Sequence, residues 1–262
     1  MRTIIYIFCF LFLFLRTNKK LEIIEDVMAK RVLTPQMREK YSKIVNFWFG
    51  TEEPFTFKTF WFASKPEDDE KIKSMFYDDL LEIAAEEEHR RELQLEALGE
   101  QFSKIEAKIA ERNAKWPTFP WPQEKFESDE EKAQLEADLG KIILFDQFTR
   151  NMFRKSAKAF HFDRISLGIA CEVVLEDLDL KVSPLQRMFL YLPIMHTEDS
   201  RVQDISVKLT ASLNFPKNDH FAIEHKEVIE KFGRFPFRNA ALGRESTPEE
   251  IEFMKTGDGY GQ

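Results

Sequence analysis

Cysteine and glycine are both scarce in this sequence, and each scarcity excludes chemistry. The 262 residues include two cysteines, Cys9 in an apolar leader and Cys171 in the body. The body can therefore hold neither an internal disulfide framework nor a multi-cysteine metal site. No Asn-x-Ser/Thr acceptor occurs, and both features suit a reducing, cytoplasmic interior for the folded part. Glycine numbers only 9 against 26 phenylalanines. Large rings with few flexible joints favour packed helices over a glycine-rich barrel. Absent too are a phosphate loop ending in Gly-Lys-Ser/Thr, a Gly-x-Gly-x-x-Gly dinucleotide signal, a Gly-x-Ser-x-Gly elbow and a His-Glu-x-x-His helix. No cofactor is expected, and no ligand spacing selects a metal. Positive charge is also in deficit: the net charge of −8 opposes binding to nucleic acid or anionic membranes.

An apolar fraction of 43% and a charged fraction of 32% describe a chain that can bury one substantial core. The division expected is a leader over 1–20 and a single helical domain over 33–262. In the leader, Arg2 precedes an apolar run from Ile4 to Leu15, and Arg16, Lys19 and Lys20 follow it. The run is too short for an ordinary span of about 20 residues. Its length matches a signal-peptide core, yet no small-x-small cleavage site follows. A targeting signal or short membrane anchor and a dispensable extension both remain open, with any membrane contact confined to residues 4–15.

Capping chemistry marks four helix starts. Ser183-Pro184-Leu185-Gln186 supplies a capping oxygen, a proline whose missing N–H does no harm, and a reciprocal Gln. Thr247-Pro248-Glu249-Glu250 repeats that pattern, Thr34-Pro35 marks an earlier start, and Ser128 with Glu131 another. Between these caps, apolar residues recur at three- and four-residue intervals. Ile72, Met75, Phe76, Leu80 and Ile83 form one stripe, and Leu95, Leu98, Phe102, Ile105 and Ile109 a second. Leu135, Leu139, Ile142 and Ile143 open a third. Phe221, His225, Val228, Ile229 and Phe232 make a fourth, which Gly233 can end. Trp116 to Pro122 carries three prolines and must be a loop, its rings either packed on the core or held as a lip over a cleft.

Charge is unevenly distributed: acidic runs lie between Lys65 and Glu100, and Arg and Lys gather around 141–158 and 226–244. Within Ile142–Arg154, a helix would put Asp146, Arg150 and Arg154 on one face, with Gln147 and Asn151 beside them. Asp146 could then orient Arg150 while Arg154 met an anion, or all three could form a structural ion-pair network. Pro193 should interrupt or bend the helix begun at Ser183, leaving His196, Glu198 and Asp199 near the break. His196 could act as acid or base, bond a ligand, or serve only packing and capping. From Phe232 to Ser246, Gly233 and Pro236 permit a change of direction that presents Arg234, Arg238 and Arg244 to a carboxylate or phosphate. His225 could approach from the preceding helix, or be a satisfied core histidine.

The longest of these segments resemble the DUF924 family, an uncharacterised bacterial-type family of tetratricopeptide-like, all-helical proteins. The resemblance begins at Ile44-Val45-Asn46-Phe47-Trp48-Phe49-Gly50 and Trp61-Phe62. It is strongest over Ile143 to Arg154, similar to the family pattern LLDQFPRNIFR, and Ala159-Phe160 and Asp163 continue it. Phe189-Leu190-Tyr191-Leu192-Pro193, His196, Glu198-Asp199, His225, and the segments from Phe232 to Asn239 and Leu242 to Glu250 complete it. Thr149 replaces the usual Pro, Met195 the usual Glu and Thr197 the usual Ser, so a family pocket would be altered here. The resemblance implies a compact all-α arrangement of antiparallel helical pairs and supplies no catalytic residues.

Two functions follow as expectations. One is a binding or adaptor protein that takes an acidic peptide or small anionic ligand through Arg154, Arg234, Arg238 and Arg244, with Asp146 and Glu198 orienting neighbours. The other is a small-molecule hydrolase or transferase. There His196 would supply acid–base chemistry with Asp199, and Arg150 or Arg154 would stabilise negative charge.

Overall fold

The computed structural model describes residues 33–257 and residue 259, apart from the side chains of 88–97 and 216. The leader, including the run from Ile4 to Leu15, lies outside the described residues. Among the described residues there are nine α-helices and no strand, so the protein is all-α. None of those helices is long and apolar enough to cross a membrane.

Helix α1 (Pro35–Phe49) starts where Thr34 Oγ1 accepts from Met37 N, and it buries Tyr41, Ile44, Val45, Trp48 and Phe49. Helix α2 (Pro66–Lys115) is 50 residues long, about 75 Å at the usual rise per residue. Its two stripes, read in the sequence as separate, lie on one uninterrupted helix because no proline or glycine pair falls between them. Glu67, Asp68 and Asp69 in the first turn and Arg112 and Lys115 in the last complement its dipole. Ile72, Phe76, Leu80, Ile83, Phe102, Ile105 and Ile109 are buried; the side chain of Leu95 lies outside the described set.

The loop after α2 turns back onto the core. Trp121 is buried, its backbone N–H donates to Ser212 O, and the Arg112 guanidinium sits over its ring. Helix α3 (Asp129–Ile142) begins at the Ser128 cap and runs into a π-wound segment, Ile143–Phe148, then α4 (Thr149–Met152). Helices α5 (Asp163–Leu175), α6 (Pro184–Met195), α7 (Ser200–Ala211) and α8 (Pro216–Phe232) follow, each packed on the next. Helix α2 lies across α5 and α7, and α1 lies on α3. A last helix, α9 (Pro248–Met254), closes the C-terminal end behind the Thr247–Glu250 capping box.

One aliphatic and aromatic core runs from Tyr41 to Ala222, and a smaller cluster joins Val228, Ile229 and Phe235. The phenylalanines work as rings against rings: Phe148 meets Phe47, Trp48 and Phe76, and Phe189 meets Trp48, Phe49 and Trp61. Phe221, placed in the sequence among the apolar stripe of α8, is instead exposed. His225, Val228 and Ile229 from the same stripe are buried.

A second device is polar. Arg112 donates to Asp179 through Nη1 (2.9 Å) and Nη2 (2.8 Å) and to Asp177 through Nε (2.9 Å). Tyr191 Oη donates to Asp179 Oδ2 at 2.5 Å, and Arg187 Nε donates to Asp179 O at 3.0 Å. These side chains tie the end of α2 to α6 and to the 3₁₀ turn Leu178–Lys181.

Candidate functional site

Asp146 and Gln147 lie in the π-wound segment, where all six residues from Ile143 to Phe148 are buried. Such π-turns inside helices recur at functional sites. Asp146 is 0% exposed. Its Oδ2 accepts from Gln147 Nε2 at 2.5 Å, and its Oδ1 lies 3.1 Å from Arg150 Nη1. Arg150 also donates to Asp146 O (2.6 Å) and makes two 3.0 Å bonds to the carboxylate of Asp163 at the start of α5.

The remaining partner of Asp146 comes from fifty residues downstream. His196 Nδ1 lies 2.8 Å from Asp146 Oδ1. Burial pushes Asp146 upward, but the charge of Arg150 and the contacts with His196 and Gln147 outweigh it and hold the carboxyl well below its usual range. The carboxylate is therefore ionised and accepts, so Nδ1–H of His196 donates. Burial lowers the pKa of His196 itself, and Arg150 and Arg238 lower it further against the pull of Asp146. A neutral imidazole with its proton on Nδ1 is the result, and Nε2 carries the lone pair.

Pro193 does not break α6; the helix continues to Met195, and His196 is its cap, with its N–H on Leu192 O at 2.9 Å. The helix end turns the ring toward a cavity of roughly 750 Å³ between α2, α5 and the α6–α7 turn. Leu98, Phe102, Phe160, Leu167, Pro193 and Leu242 supply its apolar lining, and His196 shares the rest with Thr197 and the charged residues Asp163, Arg164, Glu198, Asp199, Arg201 and Arg238. Arg238 is buried, held between the rings of Phe160 (4.8 Å) and Phe235 (4.4 Å), and its Nη1 donates to His196 O at 2.9 Å. Burial brings its pKa down to about 10, which still leaves it charged at neutral pH. A second cavity, of about 470 Å³ beside α1 and α3, has no imidazole in its lining.

Of the other residues singled out in the sequence, Glu198 and Asp199 also line this cavity, and the rest lie elsewhere. Asp199 does not reach His196: it caps α7 by accepting from Arg201 N and pairs with the Arg201 side chain at 2.7 Å. Arg154 lies past the end of α4, where the chain has left the helix, so the expected four-residue spacing stops at Arg150. Arg154 and Asn151 instead bond Asp69 and Ser64 near the start of α2. Arg234 pairs with Glu250, and Arg244 makes 2.7 and 3.0 Å bonds to Glu198, which also accepts from Phe235 N. His225 is buried behind His196, with ring centroids 6.1 Å apart, and its Nδ1 donates to Phe221 O. Burial, with His196 and the guanidinium of Arg238 close by, takes its pKa down to about 3.

Three contributors went unassigned in the sequence: Asp163, Phe160 and Gln203. The first two fall in the continuation of the Ile143–Arg154 motif, which was a usable signal. Gln203 carries no local signal at all. Among the described residues, no group of three or more His, Cys, Asp or Glu side chains could hold a metal ion.

Fold and site together define an all-helical protein with a buried carboxylate–imidazole pair beside a cavity of mixed apolar and charged lining. The chain belongs to the DUF924 family, described as bacterial protein of unknown function, whose model matches residues 44–258. A solved structure, that of the protein of unknown function ATU0120 from Agrobacterium tumefaciens, is similar to it at 29% identity and a TM-score of 0.57. That likeness covers 83% of this chain and 97% of the other. No curated protein matches the chain.

Proposed function

We propose that the chain is a small-molecule hydrolase or transferase in which His196 is the acid–base group and Arg238 meets negative charge. The observation that supports this is the 2.8 Å contact between the fully buried Asp146 and His196 Nδ1, with His196 lining the cavity. A carboxylate in that position selects the imidazole tautomer and steadies the imidazolium formed in turnover. Nε2 takes a proton from a water or a hydroxyl as that oxygen bonds to an electrophilic carbon or phosphorus of the substrate. The bond to the leaving group breaks, and the leaving group departs with the proton from Nε2. Asp146 stays ionised throughout. Arg238 replaces Arg150 in the charge-stabilising role, because Arg150 lies behind Asp146 and is not part of the cavity lining.

The adaptor reading draws less support, since Arg154, Arg234 and Arg244 all donate to carboxylates of the same chain; Arg238 also has a carboxylate near it, Asp163 at 3.6 Å, but unlike them it lines the cavity beside His196. A small anionic ligand remains compatible with the cavity through Arg238.

The test is turnover of esters, amides and phosphate monoesters by the purified protein beside its His196→Gln variant. Loss of a general acid–base group lowers the rate by about 10²–10⁴-fold. Anionic compounds that bind both proteins equally, without turnover, would favour simple binding. The absence of both turnover and binding across such a panel would overturn the proposal.

A further inference from the structure

The turn that carries His196 is held by its backbone carbonyls. Gln203, fully buried on α7, donates from Nε2 to Met195 O at 2.8 Å and to Thr197 O at 2.7 Å. Arg238 Nη1 donates to the carbonyl between them, His196 O, at 2.9 Å. Three consecutive carbonyls at the end of α6 thus accept from two buried side chains elsewhere in the sequence. A helix end ordinarily leaves such oxygens to solvent or to the next turn.

We infer that Gln203 is a positioning residue for His196, its amide fixing the α6–α7 turn so that Nδ1 meets Asp146 and Nε2 is left to the cavity. The inference rests on the acid–base reading of His196 for its purpose, although the geometry can be tested without any substrate. The position requires a donor with two N–H bonds, which the amide nitrogen supplies without adding a charge. Two carbonyl oxygens within 2.8 Å demand a donor, and the opposite amide orientation, or a carboxylate, would set oxygen against oxygen. Gln203 Oε1 has no hydrogen-bond partner in its buried surroundings, so the bonds of this side chain to the turn are made through its donor end. Its neighbour on the same helix face, Ser206, is equally buried and its Oγ is likewise without a partner. Ser206 therefore serves as an internal control for general softening of α7.

The experiment is imidazole NMR on the full chain, comparing the unmodified protein with Gln203→Met and Ser206→Ala. The unmodified protein should show a downfield His196 Nδ1 proton and nitrogen shifts of the Nδ1–H tautomer. Its titration midpoint should lie below the ordinary value of about 6.5. In Gln203→Met the downfield proton should be lost and the midpoint should rise toward that ordinary value, as the turn loosens and the ring gains water. Ser206→Ala should leave both signals in place. If Gln203→Met does not fold, Gln203→Asn keeps an amide one methylene short and should show the same changes at smaller amplitude. An unchanged His196 signature in a folded Gln203 variant would overturn the inference, and so would equal changes in Ser206→Ala. Failure of the acid–base reading would appear differently, as an intact signature without turnover.

Discussion

Acid should weaken this protein before its carboxylates protonate, and His225 supplies most of the reason. In the folded chain its pKa lies at about 3, whereas an unfolded histidine titrates at about 6.5. Between those values the unfolded chain binds a proton that the folded chain refuses. Stability is therefore fully present above about pH 6.5 and is lost as pH falls from there toward 3. One pKa unit is worth about 1.4 kcal/mol, so acidification to pH 5 should remove about 2 kcal/mol through this residue alone. His196, also lowered by burial, adds to the loss in the same direction. The lowered carboxylates Asp146, Glu198 and Glu250 act only in more acid solution, below their unfolded values near 4. Urea melts followed by circular dichroism at pH 7, 6 and 5 would read the slope directly. His225→Leu removes the titrating group and should flatten most of that slope, whatever it does to stability at pH 7. Equal stability of the unmodified protein at pH 7 and 5, or an unaltered slope in His225→Leu, would refute the reasoning.

Two further outcomes follow from other buried polar groups. Asp179→Asn removes a charge bonded twice by Arg112 and once by Tyr191, all buried, and should cost about 3–5 kcal/mol in a denaturant melt; a loss under about 1 kcal/mol would show that the network relaxes without strain. Glu198→Ala frees Arg244 and Phe235 N together and should cost about 1–3 kcal/mol. Hydrogen exchange should then rise over residues 233–246 and stay unchanged in α2 and α5, whereas uniform exchange would contradict a local role.

The sequence was most informative where an interaction is local. All four cap signals, at Thr34, Ser128, Ser183 and Thr247, mark helix starts in the structure. They do so because each side chain and the backbone N–H it accepts lie within three residues. Apolar spacing likewise identified the buried face of α2, since helical period alone carries that information. It did not show that two stripes belong to one helix, because nothing in either stripe encodes where a break is absent. At Asp146 the limit is plainer. A regular helix over Ile142–Arg154 would align Asp146, Arg150 and Arg154, but the chain is π-wound from Ile143 to Phe148 and the helix ends at Met152, before Arg154.

Helical class, the positions of helix starts and the polar character of His196, Asp146 and Arg238 all follow from the order of residues, through capping, periodicity and side-chain chemistry. Partner choice does not. That Asp146 rather than Asp199 meets His196, and that Gln203 and Arg238 take the carbonyls around it, depends on contacts separated by up to fifty positions. Those pairings exist only once α3, α6, α7 and the C-terminal loop have packed, because burial selects which opposite charges must satisfy one another when water is excluded.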